Sequence, residues 1–201
     1  LLENLGNPHA GIPTIHIAGT KGKGSTSAMC ASILKAGRSL TGMYISPHLH
    51  TFCERICMDG KPVTQEEFAS LTETIWPAMT EVNNRDEYER ITVFEILTAM
   101  AFTCFKNHTA QVQVIEAGMG GRLDATNVIT PSACIITSLS LDHTATLGNK
   151  IELIAREKAG IIKPWSTVVS APQTPEALAV IKSVCQDKNA RLLIVGQDIL
   201  W

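Results

Sequence analysis

The stretch Ile15-His16-Ile17-Ala18-Gly19-Thr20-Lys21-Gly22-Lys23-Gly24-Ser25-Thr26 predicts a buried strand, a glycine-rich turn and the first turn of a helix. Its glycines allow a tight turn that directs several backbone N–H groups into one hollow. The helix adds the positive end of its dipole, and Lys23 adds a full charge. We therefore predict a polyphosphate-binding loop that extends from Thr20 to Thr26.

This loop departs from the G-x-x-x-x-G-K-[ST] pattern at two positions, because the chain has Ile17 in place of glycine and Gly24 in place of a hydroxyl residue. The hydroxyls come later, at Ser25 and Thr26, so the usual contact between a loop hydroxyl and magnesium is not assumed. The alternative is a glycine-rich strand–helix turn without a ligand. Such a turn does not require the two lysines that are present.

The composition indicates a globular protein with an apolar core. The chain has 201 residues, of which 45% are apolar and 18% are charged, and its formal net charge is -2. This charge gives no reason to expect nucleic acid or an anionic membrane surface as a partner. No apolar run approaches the roughly 20 residues of a membrane-spanning helix, and no signal-peptide pattern is found.

We interpret the cysteines as reduced thiols in a cytoplasmic protein, with structural rather than metal-binding roles. Cys53 and Cys57 have three residues between them, but no second pair completes a zinc site. The set is Cys30, Cys53, Cys57, Cys104, Cys134 and Cys185.

Strands alternate with helices along the chain, and most of the strands are continuous apolar runs. This pattern predicts an α/β fold with a mostly parallel sheet and helices on both faces. Capping boxes at Thr64 and Thr92 each open a helix. The predicted strands are 14–18, 41–45, 52–58, 112–116, 133–137, 167–170 and 191–195, and the predicted helices are 23–36, 65–80, 93–106, 150–159 and 175–186.

Polar residues follow the predicted strands, which is where ligands bind in such sheets. Ser46 follows the second strand, Glu116 ends a later one, and Asp142-His143 follow the next. A carboxylate at Glu116 is largely desolvated and requires a cation, for which magnesium beside a triphosphate is the obvious candidate. The alternatives are a Glu116 satisfied by backbone amides, a simple loop histidine at 143, and an Asp142 that orients His143 or caps a turn.

Five motifs occur in an order that resembles folylpolyglutamate synthase and the bifunctional dihydrofolate synthase, within the Mur ligase superfamily. They are GTKGKGS at 19–25, SPHL at 46–49, EAGMGGRLDATN at 116–127, LDHT at 141–144 and EKAGI at 157–161. The resemblance implies a P-loop NTPase-like fold, that of the Mur ligase central domain, and the departures in the phosphate loop are this family's own version of it.

By resemblance, the family joins L-glutamate to a folate or dihydropteroate carboxylate in an ATP-driven ligation. The γ-phosphate moves to the carboxylate, the amine of glutamate attacks the acyl phosphate, and phosphate leaves. The resemblance implies that Lys23 and the loop hold ATP and that Ser46, Glu116 and His143 bind Mg²⁺. Catalytic roles are expected for Lys23, His143 and Lys158.

Lys158 matches a lysine that is carbamylated in this family, and the carbamate would help to bind a second magnesium. The alternative from the residues alone is a helix-surface lysine beside Glu157. The resemblance places the pterin-bearing substrate near two further groups, one at Thr92, Phe94 and Glu95 and the other at Arg122, Leu123 and Asp124. Thr92 and Glu95 are also explained as a helix cap, and Phe94 is suited to stack on a flat ring.

Residues 1–201 are expected to form one ATP-binding domain that is truncated, without the family's carboxy-terminal, Rossmann-like domain that helps to bind glutamate. We expect a monomer. Two other hypotheses stay open: a Mur-type ligase that acts on a cell-wall precursor, and a nucleotide-binding fragment without catalysis.

Overall fold

The computed structural model describes residues 1–85, 90–142, 144 and 148–200. The strands are β1 (Thr14–Ala18), β2 (Thr41–Tyr44), β3 (Ile56–Met58), β4 (Lys61–Pro62), β5 (Val112–Glu116), β6 (Ala133–Ile136), β7 (Thr167–Ser170) and β8 (Arg191–Ile194). The helices are α1 (Lys23–Ala36), α2 (Gln65–Asn83), α3 (Val93–Asn107), α4 (Ile151–Ala159) and α5 (Pro175–Asp187). Short 3-10 turns span Phe52–Arg55 and Ala125–Val128.

The strands form one sheet in the order β4-β3-β2-β5-β1-β6-β7-β8. Strands β2, β5, β1, β6, β7 and β8 are parallel, and the hairpin β3–β4 continues the sheet in antiparallel fashion. Asp59 and Gly60 form its two-residue turn with φ 49° and 75°, and Asp-Gly is a pair that favours such turns. The mostly parallel α/β fold predicted from the sequence is confirmed.

Helices cover both faces of the sheet because successive strand residues point to opposite sides. Ile17 of β1 and Val114 of β5 pack with Ala31 of α1 on one face. On the other face, Ile115 packs with α2 and α3, and Ala18 packs with α4 and α5. The continuous apolar runs of the central strands therefore reflect burial on two sides.

The prediction of a strand over 52–58 is wrong for its first half. Residues Phe52–Arg55 form a 3-10 turn, and only Ile56–Met58 pair with β2. The cause is the carboxylate of Glu54, which accepts hydrogen bonds from the backbone N–H groups of Leu49, His50 and Thr51 and so curls the chain.

The second helix continues beyond its predicted end at residue 80, to Asn83, with Pro77 inside it. Met79, beyond this proline, packs against the same core as Leu71 and Ile75, and this contact favours continued helix. In the part of the chain that the structure describes, no helix is long and apolar enough to cross a membrane.

Candidate functional site

The four strands whose ends carry the predicted site residues are neighbours in the sheet, in the order β2-β5-β1-β6. Since they are parallel, their carboxyl ends meet at one edge. This edge carries Ser46 after β2, Glu116 at the end of β5 and the loop Gly19–Gly22 after β1. The sequence prediction that these segments converge is therefore confirmed for Ser46, Glu116 and the loop after β1.

The loop after β1 is held in place by the chain that follows β6. The backbone N–H groups of Thr20 and Lys21 donate to the Ser138 carbonyl oxygen, over 3.0 and 3.3 Å. The Thr20 hydroxyl donates to the Ser140 carbonyl oxygen over 3.1 Å. Gly19 fits here because a Cβ at that position would lie 1.8 Å from Oγ1 of Thr137.

Helix α1 begins with backbone N–H donors that no side chain caps. Gly22 is its N-cap in the left-handed region, with φ 83°, and no side chain caps the helix or places an acidic group in its first turn. The N–H of Thr26 donates to Gly22, the first bond of the helix. Among the described residues, the N–H groups of Gly22, Lys23, Gly24 and Ser25 have no acceptor. Together with the helix dipole, they form a site for an anion.

The carboxylate of Glu116 lies against this helix start. A Cβ on Gly24 would lie 3.5 Å from Oε2 of Glu116, and Oε1 is 3.8 Å from Nζ of Lys23. The backbone N–H of Ser46 donates to Oε2 over 3.1 Å. Burial raises the pKa of Glu116, whose side chain is 3% exposed, and the Ser46 N–H and Lys23 only partly oppose this shift. The negative charge of this carboxylate is therefore only partly compensated, and a further cation would stabilise it.

Lys158 also reaches the loop, although it belongs to α4. It is 3% exposed, and its Nζ donates to the Gly19 carbonyl oxygen over 2.8 Å. Burial, and then the nearby charge of Lys23, lower the pKa of Lys158 to about 8. The alternative of a helix-surface lysine beside Glu157 is wrong, because Lys158 is buried and donates to the loop. Glu157 pairs with Arg122, whose Nε lies 2.9 Å from Oε1 of Glu157.

A groove of about 870 Å³ adjoins the loop at Ser46. It is lined by five of the six side chains that the family resemblance assigns to the substrate: Thr92, Phe94, Glu95, Leu123 and Asp124. Arg122 does not line it and is held by Glu157. Thr92 and Glu95 also form the predicted capping box of α3, since each side chain accepts from the backbone N–H of the other residue. His143 lies outside the described residues.

Comparison with known proteins decides the family. A model of the Mur ligase middle domain matches residues 17–197. The chain belongs to the Mur ligase family. The resemblance to folylpolyglutamate and dihydrofolate synthases that the motifs indicate is confirmed by relatives and by solved structures.

The dihydrofolate synthase/folylpolyglutamate synthase of Bacillus subtilis is 44% identical over 183 residues, which are 90% of this chain and 42% of that protein. The Mycobacterium tuberculosis folylpolyglutamate synthase in complex with ADP and AMPPCP matches with a TM-score of 0.93 and 37% identity, over 96% of this chain and 45% of that one. A folylpolyglutamate synthase complex with AMPPCP and folate matches with a TM-score of 0.94 and 36% identity, over 98% and 48%. The chain spans less than half of the length of each.

Sequence reasoning missed two cations of this Mur ligase groove, Arg55 and Arg90. Arg55 is brought there by the 3-10 turn that was expected to be a strand, and its Nε donates to Nδ1 of His48 over 3.0 Å. The SPHL motif was the available signal for Arg55, because its Ser46 and Pro47 line the groove and its His48 accepts the hydrogen bond from Arg55.

Hydrogen bonds from Thr126 and, through it, from the buried His16 hold the carboxylate of Asp124 in place. Its Oδ1 accepts from the Thr126 hydroxyl over 2.5 Å, and Nε2 of His16 lies 2.9 Å from the same hydroxyl oxygen. Since the Thr126 hydrogen points to Asp124, His16 must donate from Nε2, which leaves its buried Nδ1 unprotonated and without a partner among the described residues. Burial, and then the charge of Lys163, lower the pKa of His16 to about 3.

Proposed function

We propose that this chain is the ATP-binding part of an ATP-dependent amide ligase that adds L-glutamate to a folate or dihydropteroate carboxylate through an acyl phosphate. The observation that carries the proposal is the convergence of Lys23, Glu116 and Lys158 on one phosphate-type loop that adjoins a groove. The folate- and AMPPCP-bound relative supports the choice of substrates. The proposed domain covers residues 1–201, and glutamate binding is assigned to a second domain of the longer relatives.

The phosphates of ATP would be held by the N–H groups of residues 22–25 and by Nζ of Lys23. These donors fit because they are unpaired among the described residues and lie at a helix N-terminus without acidic side chains. Thr20 and Lys21 shape the loop through Ser138 rather than donate their N–H groups to phosphate. Nucleotide contacts to the Thr26 hydroxyl stay a prediction.

The residues present also fit Mg²⁺, which prefers oxygen ligands and usually binds through one or two carboxylates plus phosphate oxygens and water. Glu116 would supply the carboxylate and Ser46 its hydroxyl, with His143 assigned by the motif alone. The buried, incompletely neutralised Glu116 is the observation that supports a cation here. When bound, the ion would neutralise part of the charge on the triphosphate.

Lys158 is proposed to carry a carbamate. Its pKa of about 8 leaves an appreciable fraction of free amine near neutral pH, and the free amine is the form that adds CO₂ and releases one proton. The carbamate would place a negative charge beside Lys23. Incubation with ¹³C-bicarbonate should give a carbamate signal in the ¹³C spectrum that Lys158→Met abolishes and Lys182→Met retains. A signal that survives Lys158→Met would refute this assignment.

The groove beside Ser46 is the proposed site of the folate or dihydropteroate substrate. Phe94 is half-buried and offers a ring for stacking, while Arg55 and Arg90 add positive charge that suits a substrate carboxylate. Because Ser46 belongs to both the groove and the Glu116 site, a carboxylate bound there would lie next to the transferred phosphate. Direct contact of Arg122 with substrate stays a prediction.

Ligation is tested with a form of the protein extended to the full length of its relatives, supplied with Mg-ATP, L-glutamate and one acceptor at a time. The proposal expects product from dihydropteroate or tetrahydrofolate. Product from a UDP-muramoyl acceptor alone would favour a cell-wall ligase, and nucleotide binding without any product would favour a non-catalytic protein. The monomeric state and the cytoplasmic location also stay predictions.

A further inference from the structure

A group of potential metal ligands lies where α2 packs against α3, away from the phosphate loop. It consists of Glu67, Cys104 and His108, and their ligand atoms all lie within 4.8 Å of one another. Cys104 and His108 are four residues apart, so both project from the same face of α3. Fourteen residues of helical rise, about 20 Å, separate His108 from Phe94 in the groove.

The side chain of Glu67 departs from its expected role. Thr64 caps α2 by accepting from the Glu67 N–H, but the Glu67 carboxylate does not return to the Thr64 N–H as Glu95 does to Thr92 in α3. Instead, Oε1 of Glu67 lies 2.5 Å from Nε2 of His108 and 3.6 Å from Sγ of Cys104. Oε1 of Glu67 therefore contacts both of the other atoms that would coordinate a transition metal.

We propose that Glu67, Cys104 and His108 bind one Zn²⁺-class transition-metal ion, with water as the fourth ligand. Thiolate and imidazole donors exclude Mg²⁺ and Ca²⁺ as the preferred ions and suit Zn²⁺ or Co²⁺. On binding, the Cys104 thiol proton is released to solvent, and His108 coordinates through Nε2 with its remaining proton on Nδ1. This proposal does not depend on the ligase activity.

Two of the three separations between the ligand atoms can be compared directly with a tetrahedral site, and the third, between Sγ and Nε2, is within 4.8 Å. With bonds of about 2.3 Å to sulfur and about 2.1 Å to oxygen or nitrogen, the tetrahedral edges are about 3.6 Å for S–O and about 3.4 Å for N–O. The Sγ–Oε1 distance already has this value. The Nε2–Oε1 pair must open by about 0.9 Å, and its side chains can move because they are 44% exposed in His108 and 31% exposed in Glu67.

Burial explains how the site would be entered and held. Cys104 is fully buried in the core between the helices, and so it fixes the inner side of the site. His108 and Glu67 lie at the rim, which gives the ion a path from solvent and leaves a position for water. The expectation that all six cysteines are structural would then fail at Cys104, although the structure has all six as free thiols.

Titration of the chelator-treated chain with CoCl₂ tests the proposal, because a thiolate ligand gives cobalt an intense ligand-to-metal charge-transfer band. We expect one Co²⁺ per chain, with a band that ZnCl₂ displaces and that Cys104→Ser abolishes. His108→Gln and Glu67→Gln should each weaken Co²⁺ binding more than tenfold. Losing a residue that only supports a metal ligand already costs roughly tenfold or more, and these two residues are proposed as ligands themselves. His50→Gln and Cys53→Ser change the same residue types outside the cluster and should leave the band intact.

A thermal unfolding scan keeps the test independent of the buried cysteine. ZnCl₂ should raise the unfolding temperature of the wild type and of His50→Gln but not that of His108→Gln. The proposal is overturned if no thiolate band forms, if the band survives Cys104→Ser, or if it disappears in Cys53→Ser.

Discussion

Acid should destabilise the folded chain through His16 over a defined pH range. His16 is fully buried in β1, and its folded-state pKa of about 3 lies far below the usual value of 6.5. The unfolded chain therefore binds the proton first. The folded state is fully stable with respect to this group above pH 6.5, and its stability is lost as the pH falls from 6.5 towards 3.

The size of the effect follows from the difference between the two pKa values. Stability falls by about 1.4 kcal/mol for each pH unit below 6.5, so His16 should cost about 2 kcal/mol at pH 5 relative to neutral pH. Burial is the main reason, and the charge of Lys163 adds to it. The proton would go to Nδ1, which has no hydrogen-bond partner among the described residues.

The assay is urea unfolding of the wild type and of His16→Gln at pH 7.5 and pH 5. Glutamine retains an N–H donor for Thr126 but does not titrate, so the variant should lose about 2 kcal/mol less than the wild type between the two values of pH. His50→Gln, which retains His16, should behave as the wild type. Equal losses in the wild type and His16→Gln would refute the reasoning.

Three further predictions concern the site. Glu116→Gln should unfold at no lower urea concentration than the wild type, because it removes a buried charge and can still accept a hydrogen bond from Ser46. Calorimetry should nevertheless show weaker binding of Mg-AMPPCP to this variant. Unchanged binding would contradict the role of the carboxylate. Lys23→Ala should weaken nucleotide binding by about 2 kcal/mol, roughly thirtyfold, whereas Lys182→Ala should leave it unchanged. If calorimetry gives the same affinity for Lys23→Ala as for the wild type, Lys23 does not contact the phosphates. Gly118→Ala should weaken folate binding to the extended protein and leave nucleotide binding unchanged. The reason is that a Cβ at this position would lie 2.5 Å from the Phe94 ring and displace the ring. Unaltered folate binding would argue against stacking on Phe94.

The sequence predicted those features of the fold and site that depend on local pattern. The loop after β1 and the capping box at Thr92 are formed by residues close in the chain, and both are found in the structure. Glu116 could be placed because apolar strand residues precede it and glycine follows soon after, a pattern that marks a strand end at the ligand-binding edge.

Contacts between distant segments could not be predicted from local pattern. Lys158 resembles a surface lysine in sequence, but the packing of α4 turns it towards Gly19, 139 residues away. The N–H groups of Thr20 and Lys21 are taken by Ser138, which no spacing rule indicates. Arg55 reaches the groove only because Glu54 bends the backbone before it. In each case the partner is decided by tertiary packing.

A crystal structure of the chain with Mg-AMPPCP would locate the nucleotide and the metal ion relative to the loop and Glu116. We expect the phosphates on the N–H groups of residues 22–25, within hydrogen-bonding distance of Nζ of Lys23, and a metal ion beside the carboxylate of Glu116. A nucleotide bound elsewhere, or a metal ion that has no contact with Glu116, would contradict this expectation.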